Sequence, residues 1–279
     1  MAIVTHQEPA MVGRDKGLST RLQDDFAYVF AFHDLSHIYH LICKSAVQTY
    51  KQETYKMIKY ISAHFTRSPL RVATFERIQK DKGRLTPLNV FSFTKNRWLS
   101  LTESLERLMK IWEDLKSYFT EIKDKEGLKY LTEENYCYAQ CLFILLTQLA
   151  HYNKEFQKNE MNYNDVLTTM KESFIVFARE VLPKRYEGSS FEELYKISFE
   201  TKDLGKSPVL DFGAFKNDFT KNYIDVLNSS SKLSSEKQKA LFEDVRSFIF
   251  KVLTEMKDRL PLENKIFKET QVVFLRNGI

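Results

Sequence analysis

Three histidines and a cysteine follow one another at short spacings near the N-terminus. His33, His37, His40 and Cys43 belong to the segment HDLSHIYHLICKSA, which covers residues 33–46. Residues three or four positions apart lie on the same face of a helix, so a helix here would align the three imidazoles. Imidazole and thiolate groups are ligands that zinc prefers in proteins. The segment is therefore the first candidate for a metal site or a catalytic site.

A metal site in this segment needs ligands from elsewhere in the chain. Zinc takes four ligands in a tetrahedral array, and one straight helix cannot surround an ion. The chain has three cysteines and no Cys-x-x-Cys pair. A nucleophilic pair of Cys43 and His40 would also lack an orienting third group, and Cys137 and Cys141 fall in a Leu-rich segment typical of a core. We therefore predict no metal, no cofactor and no catalytic residue.

The composition is that of an ordinary globular protein. The chain has 279 residues, of which 43% are hydrophobic and 28% are charged, with eight glycines and six prolines that leave long stretches free to form helices. No apolar run approaches the roughly 20 residues that a membrane-spanning helix needs. Three cysteines fit a reducing compartment better than a disulfide framework. We expect an intracellular, soluble protein with no membrane partner.

The positive charge is concentrated in one stretch, residues 51–97. This stretch has eleven lysines or arginines against three acidic residues, a net charge of +8, whereas the whole chain carries +5. The basic residues are Lys51, Lys56, Lys59, Arg67, Arg71, Arg77, Lys80, Lys82, Arg84, Lys95 and Arg97. Such a concentration is typical of a surface that binds the phosphates of a nucleic acid. A solvated helical face that serves solubility is the alternative.

The first fifty residues predict alternating strands and helices. Ile3–Thr5 and Ala27–Phe32 have the composition of strands, Asp15–Phe26 has the periodicity of a helix, and the histidine segment follows as a second helix. This order is typical of an α/β unit. We therefore assign residues 1–50 to a short α/β segment.

From residue 51 onward the sequence predicts an all-α domain that extends to residue 279. The helical patterns and caps fall at Val47–Phe65, Val72–Lys82, Leu99–Phe119, Thr132–Leu149, Val166–Leu182, a capping box at Ser190-x-x-Glu193, a stripe from Phe212 to Val226, and a capping box at Ser235-x-x-Gln238 that opens a helix ending at Arg259.

Four segments together resemble the hAT-type transposases and the proteins domesticated from them. That family carries T-D-G-A-x-x-M-x-G, C-x-x-H, T-R-W-x-S and R-L-P elements in this order. Here Thr5–Gly13 is similar to the first, Asp34–Leu41 to the second, Asn96–Ser100 to the third and Met256–Pro261 to the fourth. The resemblance implies part of an RNase H-like core at the N-terminus, a helical insertion domain after it, and a nuclear location.

The resemblance also implies a catalytic centre that this sequence does not complete. The family holds divalent metal ions with three separated acids, because hard cations prefer oxygen ligands. His6 occupies the position of the second acid, and the first and third acids are expected outside residues 1–279. Glu8 keeps the strand face of His6, but a shift of roughly 6–7 Å along a strand would miss the metal.

The remaining motif residues are interpreted as vestiges. Asp34 stands where the family has a cysteine, His37 retains the motif histidine, and Arg97 and Trp98 belong to the third element. Trp98 beside Arg97 fits either base stacking or a core position. We therefore expect a catalytically inactive transposase-derived protein that binds DNA or RNA without sequence preference, protein partners, or further copies of itself. A pure protein-interaction scaffold and an active transposase are the alternatives.

Overall fold

The computed structural model describes residues 2–5, 18–25, 30–90, 98–158, 163–182, 186, 188–199, 226 and 229–262. Within these ranges the protein is mainly helical, which confirms the prediction of a mainly α chain but not of an RNase H-like segment within it. The predictions for His6, Glu8, Lys95, Arg97 and the stripe from Phe212 to Tyr223 lie outside the described residues.

A parallel pair of strands begins the chain. β1 (Ala2–Thr5) pairs with β2 (Phe30–His33) in the register Ala2 opposite Phe30 and Thr5 opposite His33. Helix α1 (Leu18–Asp25) lies between them in the sequence. Two parallel strands joined through a helix form the elementary βαβ unit. Its assignment to an RNase H-like core stays a prediction.

The helices that follow are α2 (Leu35–Thr49), α3 (Gln52–Thr66), α4 (Pro69–Asp81), α5 (Trp98–Lys110), α6 (Trp112–Glu121), α7 (Lys125–Tyr130), α8 (Glu133–Glu155), α9 (Tyr163–Val181), α10 (Phe191–Lys196) and α11 (Ser235–Arg259). None of these described helices combines the length and apolar character needed to cross a lipid bilayer.

Helix α8 lies at the centre of the core. It contacts α2, α3, α5, α9 and α11, and it buries apolar residues around most of its circumference, as a fully enclosed helix does. Helix α2 packs closely on α11 and so joins the same core. Helix α2, which precedes the predicted domain boundary at residue 50, therefore packs into the same core as the helices that follow that boundary.

Side-chain caps fix several helix starts that the sequence predicts. Thr132 accepts a hydrogen bond from the Asn135 N–H at the start of α8, and Ser190 forms a complete capping box with Glu193. The predicted box at Ser235 is wrong, because Ser234 is the residue that caps α11, accepting from the Lys237 N–H.

Two predicted helix boundaries are also wrong. Val47–Phe65 is divided because Tyr50 is extended (φ −83°, ψ 161°) and its hydroxyl donates to the Tyr138 carbonyl at 2.9 Å. Leu99–Phe119 is divided at Ile111, whose φ of −112° and ψ of 14° depart from helical values.

Candidate nucleic-acid interface

The histidine segment does not form the continuous three-histidine face that helical spacing suggests. Asp34 is the N-cap of α2 and accepts a hydrogen bond from the Ser36 N–H at 2.9 Å. The cap places His33 at the end of β2, so the interpretation of His33 as a helical residue is wrong. His37 and His40 lie on α2, half-buried, with ring centroids 6.0 Å apart.

The thiols near this segment and in α8 lie in the core. Burial strongly raises the pKa of the Cys43 and Cys141 thiols, and it is the main cause that raises the pKa of Cys137 to about 11. A buried thiol of raised pKa stays protonated and is a poor nucleophile. Across the described ranges, no group of three or more His, Cys, Asp or Glu side chains is placed to hold a metal ion.

The other vestigial positions are scattered. Trp98 is the first residue of α5, and the R-L-P element ends α11, where Leu260 is buried and Pro261 follows the helix. Arg259 donates to Glu255, which also accepts from Ser45 of α2 at 2.7 Å and pairs with Lys251 at 2.8 Å. Helix α2, which carries the second element, therefore packs against α11, which ends in the fourth element.

The basic stretch forms α3, α4 and the segment after α4, and five of its described cations pair with acidic residues. Lys51 pairs with Glu134 of α8 and lies 4.2 Å from the centroid of the Tyr138 ring. Arg77 pairs with Asp81 at 2.9 Å and with Glu121 at the end of α6. Both cations are therefore tied to neighbouring parts of the fold.

Asp114 of α6 holds the two cations that follow α4. Arg84 donates to the Asp114 carboxylate through Nη2 at 2.9 Å and through Nε at 3.2 Å, and Nη2 also donates to the Lys110 carbonyl at 3.1 Å. Lys82 lies 3.8 Å from the same carboxylate and donates to the Glu113 carbonyl at 3.0 Å. Lys82 and Arg84 thus fasten the end of α4 to α6.

The remaining described cations are exposed. Within the ranges that the structure covers, Lys59, Arg67 and Lys80 make no ion pair. Lys56 is 3.7 Å from Glu53, an exposed pair of small energetic value, and Arg71 donates to the His64 carbonyl at 3.1 Å.

Four of these cations form what we call the hairpin surface: Lys56, Lys59, Arg67 and Arg71. The spacing of Lys56, Lys59 and Arg67 keeps them on one side of α3 and its C-cap, and Arg71 lies in the first turn of α4. From residue 56 to residue 67 the helix rises roughly 16 Å, about the length of five base-pair steps of duplex DNA. Lys80 lies half a turn away from Arg71 around α4, so it is on the opposite side of that helix and does not belong to the hairpin surface.

The structure shows a polar cluster next to the hairpin surface that the sequence analysis did not predict. We call it the His64 cluster: His64, Tyr60, Arg71, Tyr118 and Asp124. His64 is buried, with Nε2 3.0 Å from the Tyr118 hydroxyl and Nδ1 3.7 Å from Asp124 Oδ2. The Tyr60 hydroxyl donates to the same Oδ2 at 2.8 Å. The Tyr60–His64 spacing is visible in the sequence, but Asp124 lies sixty residues away and carries no signal there.

The electrostatics of the His64 cluster favour neutral rings and a charged carboxylate. Burial lowers the pKa of His64 below its usual range, the charge of Arg71 lowers it further, and Asp124 opposes both. Burial, then the bond to Asp124, raises the pKa of Tyr60 to about 12. Burial acts to raise the pKa of Asp124, but hydrogen bonds from the Gly127 N–H and from Tyr60 outweigh it, so the net direction is downward.

No family model, curated protein or solved structure matches the chain.

Proposed function

We propose that this protein is a catalytically inactive relative of the hAT-type transposases that binds DNA through the hairpin surface and acts in the nucleus. The four transposase-like segments support the origin, and His6 at the position of a catalytic acid supports the loss of cleavage. The observation that carries the binding proposal is the row of exposed cations, of which Lys59 and Arg67 make no ion pair among the described residues. Measurable strand cleavage with Mg²⁺ or Mn²⁺ would overturn the inactive assignment.

The chemistry of the row suits a phosphate backbone. The side chains are long, exposed and charged; Lys56, Lys59 and Arg67 share one side of α3, and Arg71 lies in the first turn of α4. Such cations contact phosphates and do not by themselves read base edges. Each phosphate contact releases counterions, so four contacts give a slope of about −3 to −4 in a plot of log K against log salt concentration. The binding is expected to be independent of sequence and weak at high salt.

The test is a charge reversal with a matched control. In the first variant Lys56, Lys59, Arg67 and Arg71 are all replaced by Glu. In the control, four exposed lysines elsewhere, none in an ion pair within the described ranges, receive the same change: Lys125, Lys129, Lys154 and Lys239. Fluorescence anisotropy with a 20-base-pair duplex over a range of salt concentrations measures both.

We expect the hairpin variant to lose binding and the control to keep the steep salt dependence of the wild type. A wild type without salt-sensitive binding would refute nucleic-acid binding altogether. Equal loss in both variants would show that overall charge, rather than the hairpin surface, drives the association.

A protein-interaction scaffold is the second candidate, favoured by two exposed leucines. Leu70 is 76% exposed at the start of α4, and Leu85 is 98% exposed after its end. A scaffold that associates through these leucines predicts that replacing Leu70 and Leu85 with Ser lowers self-association in analytical ultracentrifugation. Unchanged sedimentation of that variant beside a self-associating wild type would exclude the two leucines as the contact.

A further inference from the structure

The His64 cluster brings three parts of the helical domain together around His64, one at its main-chain carbonyl and two beside its buried ring. Arg71 of α4 donates to the His64 carbonyl, Tyr118 of α6 meets the ring at Nε2, and Asp124 precedes α7. Aromatic rings enclose the imidazole: Phe65 and Phe119 lie with centroids 5.1 and 5.0 Å from it. A change in the charge of this ring therefore alters the electrostatic environment of α3, α4, α6 and the turn before α7 at the same time.

The surroundings of His64 oppose a second proton. Arg71 is a permanent positive charge against the same residue, and the aromatic shell removes the ring from water. Asp124 is the opposing attraction, but its Oδ2 already accepts from Tyr60 and its Oδ1 accepts from the Glu126 and Gly127 N–H groups at 3.0 Å each. At 3.7 Å the imidazole makes no hydrogen bond to that carboxylate.

We propose that His64 is an acid-sensitive latch, which in its neutral form holds α4 against α3 and α6 and which loosens α4 when it takes up a proton. Phe75 is the apolar part of the same junction, with its ring centroid 5.1 Å from that of Phe65 and 5.6 Å from that of Tyr118. This inference goes beyond the proposed function, because it concerns the protein alone and holds whether or not the hairpin surface binds DNA.

The direction of the pH effect follows from the shifts. The folded pKa of His64 is lower than its ordinary value of 6.5, so the unfolded form takes up the proton first as the pH falls. The stabilisation is complete above pH 6.5 and is lost below it. The titratable groups that face the ring keep their protonation state in this window: the pKa values of Tyr60 and Tyr118 are raised, chiefly by burial, and the pKa of Asp124 is lowered. The Arg71 guanidinium is a permanent cation. Glu126 contributes its charge near Tyr60, and its backbone N–H donates to Asp124.

Hydrogen–deuterium exchange tests the latch. Exchange of the α4 and α11 amides is measured at pH 7.5 and pH 5.5 and corrected for the intrinsic pH dependence. We expect the opening constant of α4 to rise by up to about ten-fold per pH unit below 6.5, while α11 changes little. A wild type in which α4 opens equally at both pH values would overturn the proposal.

Two variants separate the latch from general acid sensitivity. His64→Gln keeps a polar group near Tyr118 and cannot be protonated, so the pH dependence of α4 should disappear. His151→Gln, at an exposed histidine of α8, should leave it unchanged. A pH dependence that persists in His64→Gln would refute the assignment to His64.

A measurement on the wild type alone covers the case in which His64→Gln does not fold. The ring protons of His64 are followed by NMR through a pH titration of the intact protein. The proposal expects a midpoint for His64 below 6.5. A His64 midpoint at or above 6.5 would refute it, whatever the variants do.

Discussion

Replacing Gly127 with Ala tests how tightly the turn beside the His64 cluster is packed. A Cβ added to Gly127 would lie 2.3 Å from Cδ1 and 2.6 Å from Cε1 of the Phe119 ring. Carbon atoms in ordinary contact are about 3.5–4.0 Å apart, so one of the two groups must move by about 1 Å. Phe119 is fully buried among His64, Phe65 and Tyr118, with ring centroids 5.0, 6.3 and 5.2 Å away.

Two opposing effects set the expected size of the change. Overpacking a filled core costs about 1–3 kcal/mol, while alanine in place of glycine in a helix returns about 0.5–1 kcal/mol. We therefore expect Gly127→Ala to lower the free energy of unfolding by about 1 to 2 kcal/mol. Urea denaturation measures this as a lower midpoint at an unchanged m-value.

Gly188 supplies the control. A Cβ there meets nothing within 4 Å, so Gly188→Ala should change the stability by less than about 0.5 kcal/mol. Phe119→Leu in the Gly127→Ala background should cost less than the two single changes together, because the ring edge that clashes is gone. A Gly127→Ala protein as stable as the wild type would contradict the packing argument.

Two further predictions concern the ion pairs. Arg84→Met should lower the free energy of unfolding by about 1 to 2 kcal/mol, because it leaves the buried Asp114 with only Lys82, 3.8 Å away, as a cationic partner. Lys80→Met, the control, should leave the free energy of unfolding unchanged. Equal urea midpoints for the two variants would contradict this prediction. Hydrogen bonds from Lys251, Ser45 and Arg259 outweigh the effect of burial and lower the pKa of Glu255 to about 2. The stabilisation by the Glu255 carboxylate is present above pH 4.5 and is lost as the pH falls from 4.5 toward 2. Glu255→Gln should therefore be less stable than the wild type by on the order of 2 to 3 kcal/mol at pH 7 and by much less at pH 3. The same stability difference at both pH values in urea denaturation would refute the prediction.

The helical class and many helix boundaries can be predicted from the sequence because their causes are local. A capping side chain bonds within three residues, as at Thr132 and Ser190, and apolar periodicity is visible within one segment. The boundaries that local patterns miss depend on distant residues, as at Tyr50, whose hydroxyl reaches the carbonyl of Tyr138.

The candidate site is less predictable for the same reason. The sequence locates the basic stretch, but which cations stay exposed depends on acids that arrive from α6 and α8. The His64 cluster requires Tyr118 and Asp124, 54 and 60 positions after His64, and the sequence carries no signal that brings them together.

The order of the ion-pair partners along the chain also matters while the protein is being made. Lys51 precedes Glu134 by 83 residues, and Arg84 precedes Asp114 by 30. At about 5–20 residues per second, a ribosome needs roughly 4 to 17 seconds to add Glu134 after Lys51. Until Glu134 and Asp114 have been added, Lys51 and Arg84 lack these acidic partners. The acids of α6 and α8 thus neutralise, late in synthesis, cations that would otherwise extend the exposed positive surface of the folded protein.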